Sequence, residues 1–497
     1  MNSYKCNIKP LKVLTETQVE DIHKGTLEVL QKTGVTFEHK GALEIFRKSG
    51  CKVQDHNNRV MFPPELVEEC INTAPSTYLA KGRDRKHDIM LGGNVIHFSS
   101  AGSMDIIDLD TWEPRKATRK EFYDGVKLLD ALDHVHYHSN YCPYFGYEGV
   151  PSCMCTLESC AAKIRNSSKF QGEGASLDSE IYAIEMAKAV KMDINGSFFA
   201  SPPLTFYSDV CESAIRHMEA GFPLNICSGA VMGGSAPATI AGATITNNAE
   251  ILAGLVFSQI VKPGTRVIAS HFVFPQNMKN GSPAFGSVGG CLHQVVFNQI
   301  WSKRYKVPIY NSLMGSPAAK KMDFQAGYEK AYIALTSAMS GANILWLFGG
   351  VHGELSHHPV QAILDDDIAG IIVRFIQGVD VTEETLAVDL INEIGPIPGF
   401  YLGQEHTRNW WKKENYIPKS ADLSTYAEWM AAGKKGALDY AKERMESIIA
   451  NHHPVPLTST EEQTIEDIMM EARNHYKNKG IITDDEWKIY MKVIGAA

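Results

Sequence analysis

The chain has 497 residues, of which 44% are hydrophobic and 21% charged, and its formal net charge is −9. This composition is typical of a globular protein with a large core and excludes a predominantly disordered chain. The net acidity, and the shortness of the densest basic run at Arg83 to His87, argue against nucleic-acid binding, which requires an extended basic surface.

The sequence also carries signals about location and redox state. It contains no run of about 18 consecutive apolar residues, and its amino terminus lacks the apolar centre of a secretory signal. Most of its ten cysteines lie within apolar runs, where a reduced cysteine behaves as a small hydrophobic residue. We therefore expect a cytoplasmic protein with reduced thiols that neither spans nor binds a membrane.

Residues 1–120 predict an amino-terminal extension of helices and strands. Helical periodicity begins at Thr15, and two further short helices follow before residue 75. The run "NVIHFSSAGSMDIIDLDTWEPRKAT" then predicts strands joined by a turn at Asp110 and Thr111. We expect this segment to pack beside the main domain.

Residues 121–420 alternate short apolar strands with helical patterns at intervals of roughly 30 to 40 residues. Seven strands are predicted: "HVHYHSNYC", "SKFQGEG", "NGSFFASPP", "FPLNICSGA", "TRVIASHFVF", "VPIYNSLMG" and "NILWLFGG". "PGFYLGQEHT" is a weaker eighth. Alternation of this kind predicts a parallel sheet of the α/β class, and the number of units favours a closed TIM (β/α)8 barrel. Residues 421–497 predict amphipathic helices that pack on the barrel or on a partner subunit.

Active sites of such barrels lie at the carboxyl ends of the strands. The polar residues predicted there are mostly neutral: His138, Asn140, Glu173, Ser201, Tyr207, Asn225, Ser228, His271, Gln276, Asn311, Ser312, His352, Glu354 and His357. Aromatic residues lie on or just after the same strands, although core packing is the more common role for such residues: Phe206, Tyr207, Phe272, Phe274, Tyr310, Trp346 and Phe348.

The segment "WLFGGVHGELSHHPVQAILDDD", residues 346–367, concentrates histidines and aspartates. We interpret "WLFGG" as the seventh strand, "VHGELSHH" as a lip of the pocket, and "DDD" as the first turn of a helix. The histidine spacing does not suit a helical zinc pair, and Cys142, Cys153, Cys155 and Cys160 match no standard ligand pattern. We predict no metal, although a zinc-dependent barrel methyltransferase or hydrolase remains an alternative.

Several segments together resemble the trimethylamine methyltransferase (MttB) superfamily, from about Leu14 to Leu457. They include "NNAEILAGLVFSQIVKPGTRV", "GSPAFGSVGG", "QAGYEKAYIALTSAMSGAN", "QAILDDDIAGIIVRFIQGVDVTEETLAVDLINEIG" and "YLGQEHT". The resemblance implies a TIM barrel that transfers a methyl group from a methylated amine to the cobalt of a corrinoid protein. It implies no tightly bound cofactor, because the partner protein supplies the corrinoid (cobalamin). We also expect a homo-oligomer.

Founding members of that family carry pyrrolysine shortly before a stretch like "QAGYEKA", whereas "GSPAAKKMDF" here contains only ordinary residues. The chain thus resembles the non-pyrrolysine branch, whose members demethylate quaternary amines such as glycine betaine, proline betaine or carnitine. A quaternary nitrogen needs no further activation, because it already carries a positive charge and departs as a neutral amine. A betaine-binding protein without catalytic activity remains a second alternative.

For this reaction the protein must hold a cation, and aromatic faces stabilise one by about 0.5–2 kcal/mol each. We assign the following residues to the pool for that cage: Tyr207, Phe272, Tyr310, Trp346 and Phe348. His352 is the first candidate for a polar contact to the substrate carboxylate or to the corrinoid, followed by Asn225, His271 and Glu354. His352 and Glu354 are the predicted catalytic residues.

Overall fold

The computed structural model describes residues 3–174 and 176–495. Eight parallel strands follow one another around a closed barrel, and the last strand pairs with the first. The predicted TIM (β/α)8 barrel is therefore confirmed. The strands are β1 (Val95–Ser100), β2 (Val135–His138), β3 (Phe170–Gly172), β4 (Ile194–Ala200), β5 (Leu224–Ser228), β6 (Val267–His271), β7 (Ile309–Asn311) and β8 (Ile344–Phe348).

A helix follows each strand and covers the outside of the barrel. The helices are α1 (Arg119–Ala131), α2 (Cys155–Asn166), α3 (Ser179–Ala189), α4 (Ser208–Ala220), α5 (Ile240–Val261), α6 (Val288–Ile300), α7 (Phe324–Ser340) and α8 (Pro359–Gln377). Because the helices shield the outer face while side chains fill the inside, a strand such as β8, with sequence ILWLF, is apolar and buried at every position.

The position of the first strand corrects the predicted domain boundary at residue 120. Val95–Ser100 was assigned to the extension, yet it is β1 and pairs with both β2 and β8. The strand predicted in "PGFYLGQEHT" is wrong, because those residues form turns and the start of helix Glu405–Glu414. Proline and glycine flank its aromatic residues, which lie exposed rather than in a sheet.

A β-hairpin formed by Thr77–Ala80 and Ile89–Gly92 fills the barrel at the amino-terminal ends of the strands. Its buried side chains Tyr78, Ile89 and Leu91 pack against inward-facing barrel residues. The hairpin is also tied to the barrel by polar contacts, since Arg266 Nη1 donates to the carbonyl of Leu79 at 2.8 Å. This end of the barrel is therefore closed.

The rest of the amino-terminal extension packs on the outside of the barrel. It comprises strand Tyr4–Lys5, helices Glu16–Lys32, Lys40–Lys48 and Pro64–Thr73, and strands Val35–Phe37, Lys52–Gln54 and Arg59–Met61. Its helices contact α5. By length and composition α5 is able to span a membrane, but 72% of its most apolar stretch is buried inside the protein. Its apolarity is accounted for by its position between the extension and the barrel.

Two of the carboxy-terminal helices return to the barrel wall. Ala437–Asn451 packs on α8 and α1, and Ser459–Asn478 packs on α3 and α2. The last helix, Asp484–Ile494, supplies Tyr490 to a buried network in which Arg473 Nη2 lies 3.3 Å from Glu158 Oε1. The segment between α8 and these helices contains four shorter helices: Glu383–Leu386, Val388–Ile394, Glu405–Glu414 and Tyr426–Ala431.

Candidate active site

A cavity of about 740 Å³ lies at the carboxyl ends of the barrel strands. Neighbouring side chains on a strand point to opposite faces, so a strand that lines the cavity does so with alternate residues. Strand β5 and its extension contribute Asn225, Cys227 and Gly229 in this way. The remaining lining residues come from the other strands and from the loops above them: Gly102, Ser103, Met104, Ser139, Asn140, Tyr141, Phe199, Ala200, Ser201, Pro202, Ser270, Phe272, Tyr310, Ser312, Trp346, Glu354 and Leu355.

Aromatic side chains form one wall of this cavity. The rings of Phe272 and Trp346 meet edge to face, with centroids 6.2 Å apart. Below them, Tyr310 packs edge to face on Tyr137 at 5.7 Å, and its hydroxyl lies 3.0 Å from Ser99 Oγ. These contacts fix the rings before any ligand binds, and burial raises the pKa of Tyr310 so that it stays neutral.

The polar part of the wall consists of hydroxyl and amide groups held in internal hydrogen bonds. Ser270 Oγ donates to Asn225 Oδ1 across neighbouring strands, and Asn140 Nδ2 donates to Ser197 Oγ at 2.7 Å. The loop after β2 is anchored from behind by the buried Lys163. Its Nζ donates to the carbonyls of Ser139, Asn140 and Gly172 at 2.8, 2.9 and 2.6 Å.

Glu354 contributes the one carboxylate among the lining residues, which include no lysine, arginine or histidine. It lies in the turn between the short strands Gly350–Val351 and Ser356–His357, directly after β8. The surrounding protein raises the pKa of Glu354, and no basic partner within the described residues offsets that effect. Both Glu354 and Cys227 line the cavity. Burial and then the negative charge of Glu354 raise the pKa of Cys227 to about 12, so this thiol stays protonated.

Asn140, Ser201 and Ser312, from the predicted polar residues at the strand ends, line this cavity. So do five of the residues predicted for the cage, the polar contacts and catalysis. They are Asn225, Phe272, Tyr310, Trp346 and Glu354. Their strands are separated by 30 or more positions in the chain, so only the closed barrel brings them together. The structure thus supplies one geometric site for three predicted aromatic residues, one amide and one carboxylate.

His271 and Phe348 lie outside the cavity, which corrects two predictions. His271 follows the inward-facing Ser270, so its side chain points outward and its Nε2 lies 2.7 Å from His293 Nδ1 of α6. Phe348 lies two positions after Trp346, but an irregularity in the pairing with β1 separates them. As a result Phe348 packs outside the barrel against Phe98, with ring centroids 6.3 Å apart.

Tyr207 and His352 are likewise absent from the cavity wall. Tyr207 precedes α4 and is half-exposed on the surface, so it is not part of an aromatic cage. His352 occupies a left-handed backbone position, with φ of 54°, beside the loop after β7. Its pKa is lowered by burial and by the charge of Lys320. His352 is therefore a neutral residue near the rim, two positions from Glu354.

The sequence analysis missed several lining residues, among them Ser139, Tyr141, Phe199, Cys227 and Ser270. A signal for some of them was present, because residues two positions from a correctly identified wall residue face the same way. Cys227 follows from Asn225, and Ser270 follows from Phe272. Tyr141 lies in a loop, where this periodicity gives no prediction.

The three consecutive aspartates do not lie in the first turn of a helix, as predicted, because α8 already begins at Pro359. Asp365 is buried and lies 3.2 Å from Lys330 Nζ. Asp366 lies 2.6 Å from His134 Nδ1 and 2.7 Å from Arg444 Nη2. Asp367 accepts hydrogen bonds from Tyr416 and from backbone amides after it. The triplet ties α8 to three separate parts of the structure.

Within residues 3–174 and 176–495, no group of three or more histidine, cysteine, aspartate or glutamate side chains is arranged to hold a metal ion. The cysteines of the predicted cluster are buried. Cys142 Sγ lies 3.5 Å from His138 Nδ1, and Cys155 Sγ donates to the carbonyl of Pro151. His357 is buried against the ring of Tyr144, away from the cavity lining.

Comparison with known proteins places this barrel in a family. Residues 1–476 match the family described as trimethylamine methyltransferase (MTTB). A trimethylamine methyltransferase MttB of Desulfitobacterium hafniense (strain DSM 10664 / DCB-2) is 30% identical, covering 93% of this chain and 94% of the relative. A glycine betaine methyltransferase of Desulfitobacterium hafniense (strain Y51) is also 30% identical, covering 90% and 94%.

A solved structure supports the fold. The monomethylamine methyltransferase (MtmB) of Methanosarcina barkeri superposes with a TM-score of 0.50 at 13% identity, covering 87% of this chain and 92% of that one. At this identity the likeness bears on the fold alone. The family match over nearly the full chain, together with the two relatives at 30% identity, shows more. The chain belongs to the trimethylamine methyltransferase family.

Proposed function

We propose that this protein transfers a methyl group from a small quaternary amine of the betaine type to the cobalt(I) of a corrinoid protein. The observation that carries the proposal is a carboxylate, Glu354, that lines the same cavity as the rings of Phe272, Tyr310 and Trp346, with no basic side chain among the described lining residues. The relatives named for trimethylamine and glycine betaine support an N-methylated substrate. Ordinary residues at "GSPAAKKMDF" favour a quaternary amine over trimethylamine.

The cavity suits a permanent cation for electrostatic reasons. The faces of Phe272, Tyr310 and Trp346 attract a quaternary nitrogen through the ring quadrupole, by about 0.5–2 kcal/mol each. Glu354 adds a negative charge, and none of the described residues that line the cavity carries a positive charge to neutralise it. An ammonium bound here replaces the partner that Glu354 lacks, which makes the site complementary to positive charge.

These residues would act chiefly by positioning. The rings and the hydroxyl-rich wall hold one N-methyl carbon toward the mouth of the barrel, and the enclosed wall keeps water away from it. The C–N bond breaks with its electron pair moving to nitrogen, which leaves as a neutral tertiary amine. The acceptor cobalt(I) supplies the pair for the new bond to carbon. No proton transfer is needed, so a strong general base is unnecessary.

The corrinoid protein is expected to approach the rim of the cavity. Met104 and Leu355 belong to the cavity lining and remain 40% and 46% exposed, which gives the mouth an apolar edge open to solvent. His352 lies beside that edge, since its carbonyl accepts from the Leu355 amide at 3.3 Å. We therefore retain His352 as a residue on the corrinoid side and assign Glu354 to the substrate cation. We also propose that the chain works in the cytoplasm, as a homo-oligomer, without a tightly bound cofactor of its own.

The test uses the full chain with free cob(I)alamin as acceptor. Its consumption is followed spectroscopically in the presence of glycine betaine, choline, tetramethylammonium or trimethylamine. We expect transfer from at least one quaternary amine and little from trimethylamine. Efficient use of trimethylamine alone would contradict the substrate assignment.

Two further outcomes separate the alternatives. Calorimetric binding of a betaine without any transfer would favour the non-catalytic binding protein. Metal analysis of the purified chain addresses the second alternative, because stoichiometric zinc would favour a zinc-dependent methyltransferase or hydrolase. Glu354→Gln serves as the matched variant in the binding and transfer assays, since it removes the charge but keeps the shape of the side chain.

A further inference from the structure

The turn that carries Glu354 begins just after an irregular point of β8. The pairing of β8 with β1 shifts register between Trp346 and Phe348. Main-chain groups beside such a shift lose their regular sheet partners, and buried main-chain groups need other partners instead. Two charged side chains supply them, Lys330 of α7 and Asp365 of α8. Both side chains are completely buried.

These two residues hold the main chain where β8 ends and the turn begins. Lys330 Nζ donates to the carbonyls of Leu347 and Gly350 at 2.9 and 3.1 Å. Asp365 Oδ2 accepts from the amide of Gly349 at 2.8 Å and lies 3.2 Å from Lys330 Nζ. Three main-chain groups within four positions are therefore fixed by a single ion pair that joins two helices.

The remainder of the turn is held on both sides. The His352 amide donates to the Ala319 carbonyl, in the loop after β7, at 2.8 Å. On the other side, Ser103 Oγ donates to the Ser356 carbonyl at 3.0 Å. Glu354 lies between these two contacts, and its carboxylate has no basic partner in the described chain. The main chain around Glu354 is thus fixed, while its charge stays available to a ligand.

The ion pair suits a geometric role better than a stabilising one. A buried ion pair adds little net stability compared with apolar residues of similar size, because both charges lose their water. The bonds that this pair makes to the main chain are directional, and they concentrate on one turn. The charges of Lys330 and Asp365 also offset each other, so the pair holds the turn without neutralising Glu354.

We propose that Lys330 and Asp365 are positioning residues, which fix this turn so that the Glu354 carboxylate lies in the lining of the cavity. The inference rests on the proposed function, in which Glu354 contacts the substrate cation. Neither Lys330 nor Asp365 lines the cavity. They act on the quaternary amine only through Glu354.

The test removes both charges together, since a single replacement would leave the other charge buried without its partner. The variant Lys330→Met with Asp365→Asn keeps the approximate shape of both side chains. Its kcat/KM is measured with free cob(I)alamin and with whichever of glycine betaine, choline or tetramethylammonium the native protein uses best. We expect kcat/KM to fall about 10- to 100-fold, because a misplacement on the order of 1 Å can cost roughly 100-fold.

The same two replacements in a Glu354→Gln background show whether the pair acts through Glu354. We expect a further loss of less than about 2-fold there, because residues that act as one unit are not additive. A loss of equal size in both backgrounds would overturn the proposal, since a general structural defect gives that result. An unchanged kcat/KM in the native background would also overturn it.

Lys169→Met is the matched control. Lys169 is likewise buried, and its Nζ donates to the carbonyls of Leu129 and Leu132 at 3.1 and 2.8 Å. It precedes β3, so it lies at the amino-terminal end of the barrel, away from the turn. This variant should leave kcat/KM unchanged in both backgrounds. A loss that matches the one caused by the double replacement would argue against a specific role for Lys330 and Asp365.

Hydrogen exchange of the protein without substrate gives a readout that is independent of turnover. Residues 349–357 should exchange faster in the doubly replaced protein than in the native one, and Lys169→Met should not alter them. Unchanged exchange in this segment would overturn the proposal. If the native protein neither binds nor uses a quaternary amine, the proposed function fails, and the exchange result alone decides whether the pair orders the turn.

Discussion

The two ends of the barrel are built from the same eight strands and yet serve different purposes. At the amino-terminal end, the hairpin inserts Tyr78, Ile89 and Leu91 among inward-facing residues. His97 at this end is also buried, and its Nε2 donates to the carbonyl of Met90 at 2.9 Å. Burial lowers the pKa of His97 to about 4, so the ring is neutral. At the carboxyl end, the inward-facing residues instead surround open space.

The difference teaches where a substitution should affect stability and where it should affect binding. Side chains of the closed end are held on all sides, so truncation leaves a void that the packed barrel is unable to fill. Side chains of the open end already have a free face, and that face is available to a ligand. Each prediction below tests one side of this contrast.

The largest expected effect lies at the closed end. Leu91→Ala should lower the free energy of unfolding by about 2–5 kcal/mol, because Leu91 is fully buried beneath the barrel. Urea unfolding measures this loss. The KM for the amine should stay unchanged at a temperature where the variant is folded. A raised KM would show that the two ends are coupled and would break the contrast.

Removing the carboxylate should have the largest effect at the open end. Glu354→Gln should reduce kcat/KM for a quaternary amine on the order of 10- to 100-fold, because a charge pair at intermediate dielectric contributes roughly 1–4 kcal/mol. Glu354→Asp, which keeps the charge, should recover part of the activity. The melting temperature should change little in either variant.

The pH profile gives a further check on the same group. The pKa of Glu354 is raised, so the carboxylate is protonated at a higher pH than an exposed glutamate. The kcat/KM of the native protein should therefore fall as pH decreases through that raised pKa, and Glu354→Gln should abolish the dependence. A variant that retains the native profile would show that another group titrates.

A smaller effect is expected from a single ring. Phe272→Leu should raise KM for the cation by about 2- to 30-fold, since one aromatic face contributes about 0.5–2 kcal/mol. Phe274→Leu is the matched control, because Phe274 touches the ring of Phe272 at 5.2 Å but does not line the cavity. Equal changes in KM for both variants would argue against a cation–π contact.

The smallest effect is expected at the rim. His352→Asn, which keeps a residue that tolerates the left-handed backbone, should slow transfer to a corrinoid protein by about 2- to 10-fold if one hydrogen bond is lost. Transfer to free cob(I)alamin and the melting temperature should remain nearly unchanged. An equal loss with both acceptors would place His352 at the substrate instead.

Most of the fold followed from the sequence, because a parallel strand buried on both faces reads as a short apolar run. Strand β1 was predicted as a strand but was assigned to the extension, since its inward residues His97 and Ser99 make it look half polar rather than buried on both faces. The weak eighth strand failed for the opposite reason. Phe400 and Tyr401 favour strands by type, but their side chains are exposed in the segment after α8 and are not part of a sheet.

Site residues were predicted correctly only where the sequence indicated which side chains of a strand point into the barrel. Choosing Phe272 and Tyr310 placed the correct alternate residues of β6 and β7, whereas choosing His271 took the neighbour that faces away. The step between Trp346 and Phe348 reverses the expected alternation, and such an irregularity has no signature in one sequence. Glu354 was found because it follows β8 closely, although its isolation from basic groups required the folded chain.

The hairpin of Thr77–Ala80 and Ile89–Gly92 has a kinetic consequence for the proposed reaction. Because the hairpin fills the amino-terminal end of the barrel, the methyl donor, the acceptor and the departing product would all use the mouth at the carboxyl end. The amine would have to bind before the corrinoid protein docks over that mouth. The demethylated amine would then leave only after the corrinoid protein dissociates. Turnover would then follow a compulsory sequence, with excess corrinoid protein slowing the reaction by occupying the empty barrel.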